Sequence, residues 1–114
     1  MTKQRQELGR AGEARAASWY EERGFVTLAK NWRCREGELD LVVRRGELVV
    51  FCEVKTRSST RFGTPAEAVT VAKQRRIRRL ALRYLAEHPQ AAGTLRFDVA
   101  AVTPRGIEVI EAAF

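Results

Sequence analysis

The sequence predicts an α/β fold in which helices pack around a sheet that contains a central β-hairpin. Two runs rich in Val, Leu and Phe, 39–43 and 48–54, flank a polar break at Arg45-Gly46, which is typical of a hairpin. A helical pattern precedes the hairpin, and a strongly basic amphipathic one follows it. With 114 residues the chain is expected to form a single domain, residues 1–114, with a modest core.

Residues 3–23 are predicted to form the first helix, with Gly24 as the residue that ends it. Its apolar stripe is formed by Ala16, Ala17 and Tyr20. Glu13 precedes them on the same stripe. An acid on a buried stripe is either paired with a cation or functional; the alternative is a side chain at the helix edge with its carboxylate in water. A first strand over 25–32 and a loop over 33–36 follow.

The predicted hairpin separates its side chains into two faces, because successive residues of a strand point to opposite sides. A two-residue loop at Arg45-Gly46 would pair Arg44 with Glu47, Val42 with Val49, Asp40 with Phe51 and Glu38 with Glu53. One face has no charge and suits a core: Leu39, Leu41, Val43, Leu48, Val50, Cys52 and Val54. The other face carries, at the end away from the turn, Glu38, Asp40, Glu53 and Lys55.

The acids on the second face predict a cation between them, because carboxylates that lie this close together repel one another unless a cation separates them. A hard divalent cation such as Mg²⁺ is bound through one or two carboxylates, with waters and phosphate oxygens as the remaining ligands. Lys55 shares this face and could hold a water or a developing phosphate charge. The pattern indicates metal-assisted phosphodiester hydrolysis. The alternative is an ordinary solvated face with a cross-strand ion pair.

The segment that follows Lys55 is basic. Residues 56–63 are polar and carry no acid, so a substrate-contacting loop is expected where the chain leaves the acids. Thr64-Pro65-Ala66-Glu67 is a capping box that begins a helix, and Thr70 is a second candidate N-cap. Over 73–87 the pattern directs inward Ile77, Leu80, Ala81 and Tyr84, and outward Arg75, Arg76, Arg78, Arg79 and Arg83.

This basic helix has no acid between Glu67 and Glu87. A charge run is usually a solvated face, but a run of one sign next to a carboxylate site predicts phosphate binding. The residues expected to bind nucleic acid are Arg57, Arg61, Lys73, Arg75, Arg76, Arg79 and Arg83.

The C-terminal part is predicted to add strands to the sheet. Pro89 ends the basic helix, and an apolar strand over 94–102 carries Arg96 and Asp98. A turn over 103–106 leads to a short final strand. Asp98 is assigned a structural role as the partner of Arg96 or of a neighbouring arginine.

Composition narrows the function classes. The net charge of +7 and the pI near 10.2 favour a polyanionic partner. No apolar run reaches membrane-spanning length and no signal-peptide core is present, so a cytoplasmic protein without membrane contact is expected. Cys34 and Cys52 are expected to be free thiols, and two cysteines with one histidine do not favour a zinc site.

Asp40, followed after twelve residues by Glu53-Val54-Lys55, resembles the Asp…Glu-x-Lys core of restriction-endonuclease-like nucleases. The same chain contains Gly12-Glu13-Ala14, Gly37-Glu38-Leu39-Asp40-Leu41, Phe51-Cys52-Glu53-Val54-Lys55-Thr56-Arg57 and Arg96-Phe97-Asp98-Val99. Together these motifs cover nearly the full chain and resemble the YraN-like family of small bacterial proteins, which is related in fold to archaeal Holliday-junction resolvases.

The resemblance implies a restriction-endonuclease-like α/β core, with a mixed β-sheet flanked by helices in the order α-β-β-β-α-β. It also implies that Asp40 and Glu53 bind Mg²⁺ or Mn²⁺, and that Lys55 is the catalytic lysine. Glu13 would be an accessory acid. Gln74 leans toward the sheet from the basic helix, where a glutamine in related nucleases can support the site. Activity itself does not follow, because a related fold can keep a site and use it differently.

The leading hypothesis is a Mg²⁺-dependent nuclease that acts on structured or branched DNA, with DNA favoured over RNA as the nucleic-acid partner. The alternative is a non-catalytic nucleic-acid-binding protein that retains the nuclease fold. A third class, a module that binds an acidic protein through the basic helix or the hairpin edge, is left open by charge alone. A homodimer would suit a two-fold symmetric junction, and no stripe in the sequence establishes an interface.

Overall fold

The computed structural model describes residues 3–57 and 69–114, apart from the side chains of residues 4–6. The predicted loop beyond Arg57, Arg61 and the capping box predicted at 64–67 lie outside the described residues. The described elements are α1 (Lys3–Glu21), β1 (Val26–Cys34), β2 (Gly37–Arg45), β3 (Leu48–Thr56), α2 (Val71–Glu87), a 3₁₀ turn (Pro89–Ala91), β4 (Thr94–Thr103) and β5 (Gly106–Ile110).

The described strands form one sheet of five, in the order β1-β2-β3-β4-β5. Neighbouring strands are antiparallel except β3 and β4, which are parallel. A parallel pair needs a crossover connection, and α2 lies between these two strands in the chain. The α/β fold with a mixed sheet is therefore confirmed.

The central hairpin turns one residue later than predicted. Arg45 pairs with Leu48, so the loop consists of Gly46-Glu47 rather than Arg45-Gly46. Gly46 has a φ of 59°, a left-handed conformation that glycine adopts without the cost of a Cβ and that tight hairpin loops require. The predicted pairs are therefore displaced by two residues. A shift of two keeps the side chains of the paired residues on their predicted faces, because the alternation along a strand has a period of two.

Both faces of the sheet are buried, each against one helix. Toward α1, Leu41, Val43, Val50 and Cys52 pack with Ala16, Ala17 and Tyr20, as predicted for the uncharged face of the hairpin. Toward α2, Val42, Val49 and Phe51 pack with Ile77, Leu80 and Tyr84. The face that carries the acids is thus itself apolar in its middle, and the acids occupy the end away from the hairpin turn.

Leu39 departs from the predicted alternation, because it is buried with the residues that face α2 and not with Leu41. The ladder between β2 and β3 ends at the pair Leu41 and Cys52. Beyond it, Oδ2 of Asp40 accepts the Val54 N–H at 2.9 Å. The first residues of β2 are therefore paired with β1 alone.

α1 ends at Glu21, two residues before the predicted boundary. The N–H of Gly24 donates to the Glu21 carbonyl and the N–H of Phe25 donates to the Tyr20 carbonyl, both at 3.1 Å. Gly24 has a φ of 88°, so the chain reverses there and Phe25 packs edge-on against the Tyr20 ring at 5.2 Å. Gly24 therefore ends the helix as predicted, and the first strand begins at Val26.

β1 continues to Cys34, so the loop predicted over 33–36 is reduced to a turn at Arg35 and Glu36. Arg33 lies opposite Glu38 in the β1–β2 ladder, and its Nε is 3.1 Å from the Glu38 carboxylate. This cross-strand pair extends the strand past the predicted end.

α2 begins at Val71, where the side chain of Thr70 accepts the Lys73 N–H, so the predicted N-cap is confirmed. The residues buried by α2 are the four predicted, Ile77, Leu80, Ala81 and Tyr84. No described helix is long and apolar enough to cross a membrane.

Asp98 on β4 is fully buried and has the structural role predicted for it. Its carboxylate accepts two hydrogen bonds from the Arg96 guanidinium, each at 2.9 Å. It also accepts the Tyr20 hydroxyl at 2.6 Å and the Ala112 N–H at 3.0 Å. Asp98 therefore connects α1, the sheet and the segment after β5 through bonds that compensate for burying its charge.

Candidate active site

Three carboxylates from two elements meet at the charged end of the hairpin. Glu13 of α1, Glu38 and Asp40 of β2 each offer an oxygen, and these oxygens lie within 4.8 Å of one another. Glu13 is buried, with 9% of its surface exposed, while the other two are partly buried. The acid on the apolar stripe of α1 therefore joins the acids of the hairpin, which the sequence alone left undecided.

Each of these carboxylates is held by a different neighbour. The backbone N–H of Val54 donates to Asp40, and Arg33 pairs with Glu38. Glu13 is hydrogen-bonded to the side chain of Asn31. Asn31 has a φ of 54°, a conformation in which asparagine is enriched among non-glycine residues.

The electrostatics of the cluster disfavour the ionised carboxylates. Burial raises the pKa of Asp40 to about 7, and the negative charge of Glu53 adds to that rise, while the Val54 N–H opposes it. Burial also raises the pKa of Glu13, and its hydrogen bond to Asn31 partly offsets the rise. A cation bound among these oxygens would favour their ionised forms.

Glu53 on β3 is buried, with 7% of its surface exposed, and lies between two lysines. Its Oε1 is 2.7 Å from Nζ of Lys73 and 3.4 Å from Nζ of Lys55. Lys73 is in the first turn of α2, so this ion pair connects the start of the basic helix to the strand that carries Lys55. The structure thus places Lys73, which was expected to bind nucleic acid, against a residue expected to bind metal.

The two lysines differ in the direction of their pKa shifts. Burial lowers the pKa of Lys55, and the neighbouring Lys73 lowers it further. For Lys73, burial is the largest cause and acts in the same direction, but the interactions with Glu53, Lys55 and Asp40 together outweigh it and the pKa is raised. Lys55 is therefore the lysine of the pair that more readily supplies a neutral amine.

Gln74 lies in the first turn of α2 and is half-buried. Its side-chain amide donates to the Val69 carbonyl at 3.2 Å. In this position Gln74 fastens the chain that precedes α2, rather than a carboxylate of the cluster.

Four arginines of α2 fall into two groups. Arg75, Arg76 and Arg79 are exposed, as predicted. Arg83 pairs with Glu36 in the β1–β2 turn and with Glu87 in its own helix, the latter at 3.0 Å. Glu87 is thus a local partner four residues along the helix, whereas Glu36 is brought to Arg83 by the fold.

Arg78 of α2 and Arg57 after β3 have other surroundings. The Arg78 guanidinium lies over the rings of Phe97 and Phe114, at 4.7 and 5.6 Å from their centres. Arg57 is half-buried, and its backbone N–H donates to the Val102 carbonyl at 2.8 Å.

Two contributors to the site were not assigned a role there by the sequence. Asn31 lies in an ordinary strand pattern, so no local signal distinguishes it. Lys73 is one of several cations at the start of a basic helix, and only the packing of α2 on β3 shows that it reaches Glu53. Glu38 was placed with the acids by alternation, and its contact with Glu13 across 25 residues of sequence required the fold.

Comparison with known proteins places this sequence in a family. The sequence model described as "Uncharacterised protein family UPF0102" matches residues 12–102. A UPF0102 protein of Frankia casuarinae is 57% identical over 112 residues, covering 94% of this chain and 95% of the relative. A UPF0102 protein of Moorella thermoacetica is 46% identical over 120 aligned residues, covering all of both chains. These matches agree with the family resemblance that the sequence motifs indicated.

Proposed function

This chain belongs to the uncharacterised protein family UPF0102. From the geometry of its own site, we propose that it is a metal-dependent nuclease. The reaction would be hydrolysis of phosphodiester bonds, with structured or branched DNA as the substrate and Mg²⁺ or Mn²⁺ as the cofactor. The observation that carries the proposal is the meeting of Glu13, Glu38 and Asp40 beside Glu53 and its lysines.

The residues present fit a hard divalent cation. The cluster offers only carboxylate oxygens, which are the ligands that Mg²⁺ and Mn²⁺ prefer. The raised pKa values of Asp40 and Glu13 indicate carboxylates that a positive charge would stabilise in their ionised form. Asp40 and Glu13 would hold the ion together with Glu38, and Glu53 lies close enough to Asp40 to contribute to its pKa shift.

A bound divalent cation supplies charge neutralisation at a phosphate oxygen and a more acidic water. The protein groups have complementary tasks. Lys55 would hold the attacking water or the charge that develops on the scissile phosphate, and Glu53 would orient its Nζ. Lys73 would keep Glu53 in place from the start of α2.

The exposed face of α2 supports a nucleic-acid substrate. Arg75, Arg76 and Arg79 follow Lys73 along the helix, so phosphates bound by them would continue from the acidic cluster. Phosphate contacts of this kind position a nucleic acid without reading its sequence. A structure-selective nuclease fits that mode of binding better than a sequence-specific one.

Binding without cleavage is the second candidate, and the net charge of +7 with the exposed arginines of α2 favours it. Against it stands the acidic cluster, because clustered carboxylates repel phosphates. A protein that only binds nucleic acid gains nothing from Glu13 and Asp40 beside the basic surface.

The test is a cleavage screen of branched, single-stranded and duplex DNA and of an RNA hairpin, with Mg²⁺, Mn²⁺ or a chelator. Wild-type protein should cleave a branched substrate only when the metal is present. Asp40→Asn should abolish cleavage while binding is retained. Binding of every substrate without cleavage of any would support the second candidate, and cleavage that survives Asp40→Asn would refute the assigned site.

A further inference from the structure

Gly12 lies where α1 makes its closest approach to the end of β3. A Cβ at this position would lie 1.9 Å from Oγ1, 3.1 Å from Cβ and 3.4 Å from Cγ2 of Thr56. Side-chain atoms do not approach one another to 1.9 Å, so a residue with a Cβ requires a shift of the helix or of Thr56. The close packing of α1 on this strand therefore depends on the missing Cβ of Gly12.

The same helix contains a second glycine, Gly9, that provides a comparison. A Cβ built at Gly9 meets no atom within 4 Å. Glycine in a helix interior is unfavourable relative to alanine, because it loses more conformational freedom on folding. At Gly12 a packing requirement offsets this cost, whereas the surroundings of Gly9 impose none.

The contact between Gly12 and Thr56 joins the two parts of the candidate active site. Gly12 is followed directly by Glu13, whose carboxylate reaches Asp40 and Glu38. Thr56 follows Lys55 on the strand that also carries Glu53. The depth at which α1 sits on β3 consequently sets the distance from Glu13 to the groups of the hairpin.

We propose that Gly12 is a positioning residue: because it lacks a Cβ, α1 lies close enough to Thr56 for the Glu13 carboxylate to join the cluster with Asp40. The proposal rests on the proposed function insofar as that cluster is taken to bind a metal. Where Thr56 keeps its position, opening the contact from 1.9 Å to an ordinary 3.4 Å displaces α1 by about 1.5 Å. Metal ligands are placed within about 0.2 Å, so such a displacement removes Glu13 from a shared ion.

The experiment compares wild type with Gly12→Ala, Thr56→Ala, the double variant and the matched control Gly9→Ala. Mn²⁺ affinity is measured by calorimetric titration of the protein alone, and crystal structures give the separation of Glu13 and Asp40. Gly12→Ala should weaken Mn²⁺ binding by about 10-fold or more. Gly9→Ala and Thr56→Ala should bind as wild type does.

The double variant tests whether removing the clash with Thr56 restores Mn²⁺ binding. Thr56→Ala removes the two atoms beyond Cβ, and the remaining distance of 3.1 Å needs an adjustment of only a few tenths of an ångström. Mn²⁺ affinity should therefore return to within about three-fold of the Thr56→Ala value. Wild-type affinity in Gly12→Ala, or a folded double variant that stays weak, would overturn the proposal.

The remaining outcomes of the experiment also either support or overturn the proposal. If Gly12→Ala does not fold while Gly9→Ala does, recovery of folding and Mn²⁺ affinity in the double variant supports the proposal, and failure to recover overturns it. If wild-type protein binds no Mn²⁺, the proposed function fails on its own. The structures then test Gly12: displacement of Glu13 from Asp40 that is reversed in the double variant supports the positioning role, and an unmoved Glu13 overturns it.

Discussion

Replacing Asp40 by asparagine should stabilise the metal-free protein at neutral and alkaline pH. The change keeps the shape of the side chain and an oxygen that accepts the Val54 N–H, but it removes a negative charge. Alanine would leave this N–H without its acceptor, so the cost of the lost hydrogen bond would be added to the effect of removing the charge. The isosteric variant therefore isolates the electrostatic cost of Asp40.

The magnitude follows from the pKa of Asp40, which burial raises from 3.8 to about 7, with a contribution from the charge of Glu53. Because the folded-state pKa is the higher one, the folded protein binds more protons between these two pH values. Stability is therefore lost as pH rises from about 4 to about 7. At about 1.4 kcal/mol for each pKa unit, the cost at pH 8 is at most about 4 kcal/mol.

The assay is urea unfolding of wild type and Asp40→Asn in a chelating buffer at several pH values between 4 and 8. We expect the variant to be more stable at pH 8 and the difference to shrink toward pH 4. The exposed Glu108 provides a matched control, since Glu108→Gln removes one charge with little change in stability at any pH.

Mn²⁺ should narrow the difference in stability between wild type and Asp40→Asn. A ligand at 100 times its dissociation constant stabilises the folded state by about 2.7 kcal/mol, and Asp40→Asn should lose most of this gain. The reasoning is refuted if Asp40→Asn is less stable than wild type at pH 8 without metal, or if the difference does not change with pH. Asp40 would then be the structural partner of a cationic side chain and not part of a metal-binding site.

Two further predictions concern the basic helix and the buried network. Arg75→Ala and Arg79→Ala should each reduce the slope of log affinity against log salt by about 0.7 to 0.9, and Arg83→Ala should reduce it less because its guanidinium is ion-paired. Equal slopes in all three variants and wild type would move the binding surface elsewhere. Tyr20→Phe should destabilise the fold by about 1–3 kcal/mol, because it removes the hydroxyl that donates to the fully buried Asp98. Denaturant unfolding checks this, and an unchanged stability would mean that the other partners of Asp98 suffice.

The end signals and faces of the elements were predictable from local patterns. Thr70 caps α2 and Gly24 ends α1 as predicted, because these roles depend on hydrogen bonds within a few residues. The hairpin was predicted with a register that is wrong by two residues. Apart from Leu39, its faces survived that error because alternation repeats every second residue.

The acids of the candidate site were also found from the sequence, but their partners were not. Asp40 and Glu53 stand out by spacing and by family resemblance. Nothing in the sequence indicates that Lys73 reaches Glu53, because this ion pair joins a helix to a strand 20 positions earlier in the chain. Likewise Glu13 lies 27 positions before Asp40, and only the packing of α1 on the sheet brings their oxygens together.

By itself the sequence determined which segments are helices and strands, which side of each is apolar and where like charges accumulate, since these properties arise from interactions between near neighbours. The tertiary structure decided how far the strands slide past one another, which helix covers which face and which charges are neutralised. Those outcomes depend on contacts such as Gly12 with Thr56 and Tyr20 with Asp98, across 44 and 78 positions of the chain. Such contacts form only when the whole core packs at once, because the steric fit of one pair is set by all the residues between them.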